Sequence, residues 1–232
     1  MSAKGGKKIQ NARSSFDKNI AYELTEAVEI VKRTSYAKFD ASVDLVFKLN
    51  LDVRKADQQL RGSVLLPNGT GKSISVLVVT NNVEKQKLAT AAGADQVVDG
   101  QTLEQKIKED IFDFDVMVAD PAMMPLLGKY GKKLGPKGLM PNPKTGTVTP
   151  TPEKAVEELK KGKANYRTDK AGVVHTLVGK VSMDTEKLVE NIKTVISLIK
   201  RLKPSAVKGT YIQNIVLSAT MGPGVKVNCI EK

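Results

Sequence analysis

The sequence predicts a mixed α/β (α+β) protein of two domains, one built from both termini and the other inserted between them. Charge gives the first indication. Residues 1–69 carry 12 Lys and Arg against 8 Asp and Glu, and residues 159–232 carry 14 against 5, while residues 70–158 carry 11 against 12. Nearly all of the net charge of +12 therefore sits in the two ends. Rhythm gives the second: apolar residues alternate with period two near both ends, whereas the middle alternates strand with helix. Length gives the third, because each part is long enough to bury a core of its own.

Each element follows from its local pattern. Residues 1–19 read as a mobile basic arm. Leu24, Ala27, Val28 and Val31 recur at helical spacing and predict a helix ending near Arg33. Val43, Leu45, Phe47 and Leu49 alternate with polar partners and predict a half-buried strand. A second strand is expected at Ser63–Leu66, after the polar stretch Asp52–Gly62 and before the turn Pro67–Lys72. In the middle, strand Ile74–Thr80, helix Val83–Ala92 (stopped at Gly93), strand Gln96–Val98, helix Leu103–Glu109 and strand Val116–Ala119 predict a small parallel α/β domain. Leu134–Pro150 reads as a long loop, and Thr151-Pro152-Glu153 as a capped helix start. Strands Asn165–Thr168 and Val173–Ser182 flank a hairpin turn at Asp169–Gly172. A long helix runs from a cap at Asp184 to a stop at Pro204, burying Leu188, Val189, Ile192, Val195, Ile196, Ile199 and Leu202. Strands Tyr211–Ala219 and Val225–Val227 close the chain, and both ends are expected to share one antiparallel sheet.

Composition narrows the function. One cysteine, Cys229, allows no internal disulfide and fits a reducing, cytosolic compartment. No apolar run nears the roughly 20 residues that cross a bilayer, and the basic N-terminus lacks the apolar core of a signal peptide. With one His and one Cys, a Cys/His zinc site cannot be assembled. The clustered Asp110, Asp113, Asp115 and Asp120 read as a solvated acidic face. Aromatic residues make up only 4%, which counts against a ladder of stacked bases but not against binding by shape. The basic ends point to a polyanion. A peripheral membrane protein would need an amphipathic helix with aromatics on one side, which is missing.

One motif is a near miss. Leu66–Ser73 almost fits G-x-x-x-x-G-K-[ST], the loop that cradles nucleotide phosphates. The first glycine is replaced by Leu66, and Lys72-Ser73 runs into strand sequence where a helix N-terminus should face the phosphates. The expectation is a Gly-rich crossing between domains; the alternative, a nucleotide-binding switch or NTPase using Gly69–Ser73, belongs to the middle domain. His175 lies in a strand with no visible partner for base catalysis, so no enzyme is expected.

Two further segments stand out. Leu134–Pro150 is stiffened by prolines, and between Pro121 and Pro152 there are five Lys and no acid. Thr220-Met221-Gly222-Pro223-Gly224 sits between two strands, where a hydroxyl, a soft side chain and a kinked backbone can lie against a ribose-phosphate surface. Together Lys137–Lys144 with the following Gly-Thr-Val, and the closing Thr220–Pro223, resemble the bacterial large-subunit ribosomal protein L-one family, the protein of the mobile stalk beside the tRNA exit site. The resemblance extends through Lys38-Phe39, Asp52–Gly62, Leu66–Lys72, Tyr166–Gly172 and His175.

The resemblance implies an RNA-binding domain from residues 1–69 and 159–232, a split antiparallel sheet with helices, and an inserted Rossmann-like parallel α/β domain at 70–158. It implies RNA contacts at Lys38, Phe39, Ser42, Arg167, Asp169, Lys170, His175, Thr220, Met221, Gly222 and Pro223, and a hinge at Pro67, Gly69, Gly71 and Gly162. Ala41 stands where many relatives carry Glu, so a polar contact made there would be missing. The implied partners are large-subunit rRNA, exit-site tRNA, the protein's own mRNA leader and the ribosome as a whole, with no membrane, no cofactor and no metal. Off the ribosome the protein is expected to be a cytoplasmic monomer.

Overall fold

The computed structural model describes residues 6–55, 58–204, 207 and 209–228. Cys229, residues 1–5 of the expected arm, and Ala56 and Asp57 of the matched stretch lie outside them. Chain order is α1 (Lys7–Ser14), α2 (Leu24–Thr34), β1 (Ser42–Leu49), β2 (Arg61–Leu65), β3 (Val76–Val79), α3 (Val83–Ala91), β4 (Gln96–Val98), α4 (Gly100–Lys108) and β5 (Val116–Ala119). Then come α5 (Met124–Lys129), α6 (Gly131–Leu134), α7 (Pro152–Lys160), β6 (Lys163–Thr168), β7 (Val173–Lys180), α8 (Thr185–Arg201), β8 (Ile212–Ala219) and β9 (Val225–Lys226). Packing divides the chain into Met1–Gly71 with Ala164–Lys232, and Lys72–Lys163.

In the first unit the strands lie in the order β2-β6-β7-β1-β8-β9. β1 is central and antiparallel to both neighbours, with Leu45 opposite Thr176 and Leu217, and Phe47 opposite Val174 and Ile215. Period-two alternation decides the faces. Val43, Leu45, Phe47 and Leu49 are buried with Val28 and Val31 of α2 and with Leu188, Ile192, Val195 and Ile199 of α8. The α8 stripe is buried as its spacing predicts, except that Leu202 is only half-buried. Asp184 makes no capping bond and pairs instead with Lys187 at 2.9 Å. A missing cap costs about 1 kcal/mol, whereas each buried aliphatic side chain contributes roughly 1.5–3 kcal/mol. Packing, not capping, holds α8.

The second unit is a three-stranded parallel sheet in the order β4-β3-β5. All four residues of β3 are buried, as a central parallel strand covered on both faces requires. Val76 and Val78 pack with Ala89 of α3 and with Ala155, Val156 and Leu159 of α7. Leu77 and Val79 pack on the other side with Leu103 and Ile107 of α4, and with Met123, Leu127 and Leu134. Leu159 is therefore part of this core, and the unit runs on to Lys163 instead of closing at residue 158, where charge alone would draw the line.

At four places the local structure differs from the sequence reading or extends it. The expected arm is helical from Lys7 to Ser14, although the helix buries none of its residues; Lys, Gln, Ala and Arg favour helix even without packing. The stretch Pro121–Leu134 folds into a 3₁₀ turn followed by α5 and α6, where Gly128 and Gly131 had hidden the helical pattern. The loop after it is folded too. The Asn142 side chain accepts from Lys144 N at 2.8 Å, and the hydroxyls of Thr145 and Thr147 donate to Asn142 O at 3.0 and 3.1 Å. Thr151, expected as a cap, instead shares its hydroxyl with that of Thr149 at 3.2 Å.

Tyr211 gives the first unit a measurable alkaline limit. Its hydroxyl is buried with no hydrogen-bond partner among the described residues, and burial pushes the phenol up to about 12. Because the folded value exceeds the unfolded one of about 10, this contribution to stability is complete below pH ~10 and is lost as pH rises toward ~12. Tyr211→Phe should remove that part of the alkaline decline, read as the unfolding midpoint against pH.

Candidate nucleic-acid interface

At the Ser42 end of β1, two connections meet. The first, residues 35–41, is pinned by Asp40, whose carboxylate accepts from Ser182 Oγ at 2.8 Å and Ser182 N at 3.2 Å and pairs with Lys180 at 3.6 Å. The Ser182 hydroxyl holds this carboxyl below its ordinary range, helped by the Ser182 amide and Lys180. Ala41 is buried in the sheet core and its carbonyl accepts from Val181 N, so at this position the chain contributes packing. Lys38 and Phe39 project outward, with Phe39 59% exposed.

The second connection is the turn after β8. Gly222 N donates to Ala219 O at 2.8 Å, closing a four-residue turn. Met221 sits at its third position with φ +69°, which L side chains seldom adopt, and is 68% exposed. Thr220 Oγ1 donates to Ser42 O and accepts from Ser42 N, both at 3.2 Å. These bonds tie the turn to β1 and so position Met221, Gly222 and Pro223.

Asp169 and Lys170 lie at the other end of β1, and Arg167 stands across β7 from Val46. Asp169 Oδ1 accepts from Ala171 N and Val173 N, both at 2.8 Å, and builds the β6–β7 hairpin turn. The Val173 bond, seconded by that from Ala171, keeps this carboxyl below its ordinary range. Gly172 follows with φ +75°, and its carbonyl accepts from Leu49 N, locking the turn onto the end of β1. Arg167, Asp169 and Lys170 line an open depression of about 520 Å³ together with Val53 and Gln59.

The named residues thus spread along the length of β1, roughly 23 Å at ~3.3 Å per residue. One group lies at the Ser42 end, Asp169 and Lys170 lie at the other, and His175 and Arg167 stand level with Val46 between them. One face of the sheet joins them. Ser42, Asp44, Val46 and Lys48 point the same way as Ser218, Val216 and Asn214 of β8, and as Leu177 and His175 of β7. These side chains are exposed or half-exposed. His175 stands opposite Val46 and Arg167, within the field of Asp44. Burial raises the Asp44 carboxyl, against the pull of His175. Asp44, Lys48 and Ser218 share this face, as does Lys226 opposite Val216; none was named from sequence, although the polar half of the β1 alternation already marked the first two.

The nucleotide alternative meets a different geometry. Gly69 and Gly71 have φ +68° and +69°, but the chain after Lys72 leads into β3 and opens no helix. Lys72 donates to Asp115 at 2.9 Å. The helix starts beyond the parallel strands are occupied by their own side chains. Asn82 accepts from Glu84 N, Asp99 from Thr102 N and Asp120 from Ala122 N. An amide oxygen and two carboxylates already sit where a phosphate would need bare amides. Asp110, Asp115 and Asp120 each pair with a lysine, and among the described residues no acidic cluster fit for a metal ion occurs. No helix among them is long and apolar enough to cross a membrane.

The four positions expected to form a hinge fall at Pro67, Gly69 and Gly71 after β2, and at Gly162, with φ +103°, between α7 and β6. Asn191 of α8, fully buried, accepts from Asn68 N at 3.1 Å and donates to Gly69 O at 3.0 Å and Val178 O at 2.9 Å. Residues 68 and 69 are thereby fastened to the first unit.

Comparison with known proteins agrees with this arrangement. Residues 31–223 match the ribosomal protein L1p/L10e family. The chain is 98% identical over 232 residues, the whole of both chains, to a protein of Mycoplasmopsis agalactiae named large ribosomal subunit protein uL1. It is 75% identical, again over both full lengths, to the protein of the same name from Mycoplasmopsis synoviae. To that of Mycoplasmopsis pulmonis it is 64% identical over 97% of this chain and 98% of the other. The match runs through both sheets and through both connections that frame the exposed face, and the chain belongs to the ribosomal protein L1p/L10e family, whose members are ribosomal constituents and not enzymes.

Proposed function

We propose that this chain is a constituent of the large ribosomal subunit that binds large-subunit rRNA directly through the exposed face of its six-stranded sheet. The observation that carries the reading is the pairing of exposed Phe39 and Met221, on anchored connections at one end of β1, with Arg167 level with its middle and Lys170 at the other end. Apolar tips on a fixed backbone suit sugar and base faces, and flanking cations suit phosphates. The basic ends set the salt dependence.

The second unit would act as the moving arm of the stalk beside the exit site, assisting release of deacylated tRNA. The Asn191 clamp narrows the pivot to Gly71 and Gly162. Binding of the same surface to the protein's own mRNA leader would repress its translation by mimicry of the rRNA site. The fit of family, charge and geometry supports this assignment.

A titration of the full chain with a large-subunit rRNA stalk fragment, from about 50 to 200 mM salt with bulk tRNA as competitor, tests it. Binding to the fragment should survive the competitor throughout. Equal loss of both RNAs with salt would reduce the surface to a non-specific polyanion site.

A further inference from the structure

Met221 and Asp110 are the non-glycine residues with positive φ among those described. In the turn Ala219–Gly222 the third position ordinarily takes Gly or Asn, because a Cβ crowds the following carbonyl there. Methionine in that place needs something to hold it. Two devices are visible. The Thr220 hydroxyl ties the start of the turn to Ser42. The second is Tyr36, on the connection after α2, whose hydroxyl donates to Met221 O at 2.6 Å. The bond spans 185 residues of sequence and falls on the carbonyl of the strained residue itself.

We infer that Tyr36 is a positioning residue for RNA binding: its hydroxyl fixes the Met221 carbonyl, and so holds the Met221 side chain outward beside the Lys38-Phe39 connection. This rests on the RNA-binding reading above, and adds to it a residue outside the contact set. Tyr36 is on the same connection as Phe39, four residues before Asp40, which anchors that connection to Ser182 and Lys180. One hydroxyl thus locks the two apolar tips into a common frame before RNA arrives. Without it each tip would order only on binding, at the expense of affinity.

Two readouts on the full chain test the inference. In the free protein, Tyr36→Phe should shift the three-bond coupling between Met221 Hα and the carbonyl carbon of Thr220, which is large at positive φ and small at negative φ, toward an averaged value and leave the thermal midpoint within about 2 °C. An unchanged coupling would overturn the tether, whatever RNA does. With the rRNA stalk fragment, Tyr36→Phe should weaken binding about threefold to tenfold at an unchanged slope of affinity against salt. Met221→Gly relieves the turn and removes the tip, so adding Tyr36→Phe to it should cost nothing further. Additive losses in that double-mutant cycle would mean that Tyr36 touches RNA itself, and would overturn the positioning role. Failure of the unaltered chain to bind the fragment in preference to tRNA would count against the RNA reading, while the coupling would still judge the tether.

Discussion

Asn191→Ala is expected to destabilise the first unit by about 3–5 kcal/mol, as much as truncating a large core side chain. Asn191 is 0% exposed, yet both ends of its amide are used. Removing it leaves Asn68 N–H, Gly69 C=O and Val178 C=O without their partner, and an unpaired buried polar group costs roughly 1–3 kcal/mol. The cavity adds to this. Asn191→Asp should be no milder, since a carboxylate can accept from Asn68 but cannot donate to the two carbonyls. Urea unfolding followed by tyrosine fluorescence suits the test, because Tyr22, Tyr36, Tyr166 and Tyr211 lie in the first unit and only Tyr130 in the second. A loss under 1 kcal/mol would show that the clamp is dispensable and return Gly69 to the pivot.

The second large effect falls on binding and spares the fold. Phe39→Ala and Met221→Ala should each weaken rRNA affinity by about 1–3 kcal/mol, the range for losing a stacked or desolvated contact. Stability should move by less than about 0.5 kcal/mol, since neither side chain contributes to the core. Lys38→Ala, between them in kind, should instead lower the salt slope by about one phosphate contact with a smaller loss of affinity. If both apolar truncations leave affinity untouched while Lys38→Ala lowers it, the contact is purely electrostatic and the exposed tips need another explanation.

Much of this architecture was legible because burial leaves a period in the sequence. Val43 to Leu49 alternate because one face of β1 is core, and the residues of α8 repeat at 3–4 because one stripe is core. The parallel strands read as continuous apolar runs because both of their faces are covered. What was missed carries no period. α1 buries nothing, and α5 and α6 are too short to repeat. Asn191 looks like any polar residue on a helix until its three partners, between 13 and 123 residues away in sequence, are brought to it. Tyr36 and Thr220 are of the same kind, since their roles lie in bonds to distant backbone. The candidate contact residues were named through kinship, and the fold spreads them along β1, from the turn beside Ser42 past His175 and Arg167 to the Asp169–Gly172 hairpin.

The central place of β1 also sets an order of events during synthesis. Both of its neighbours, β7 and β8, are made after the entire second unit. At 5–20 residues per second, the roughly 160 residues from the end of β1 to the start of β8 take about 8–30 s to emerge. Over that interval the second unit, contiguous in sequence, can close on its own core. The apolar side of Val43, Leu45 and Phe47 meanwhile waits uncovered. The central strand of the six-stranded sheet therefore spends this interval in the newborn chain without either of its neighbours.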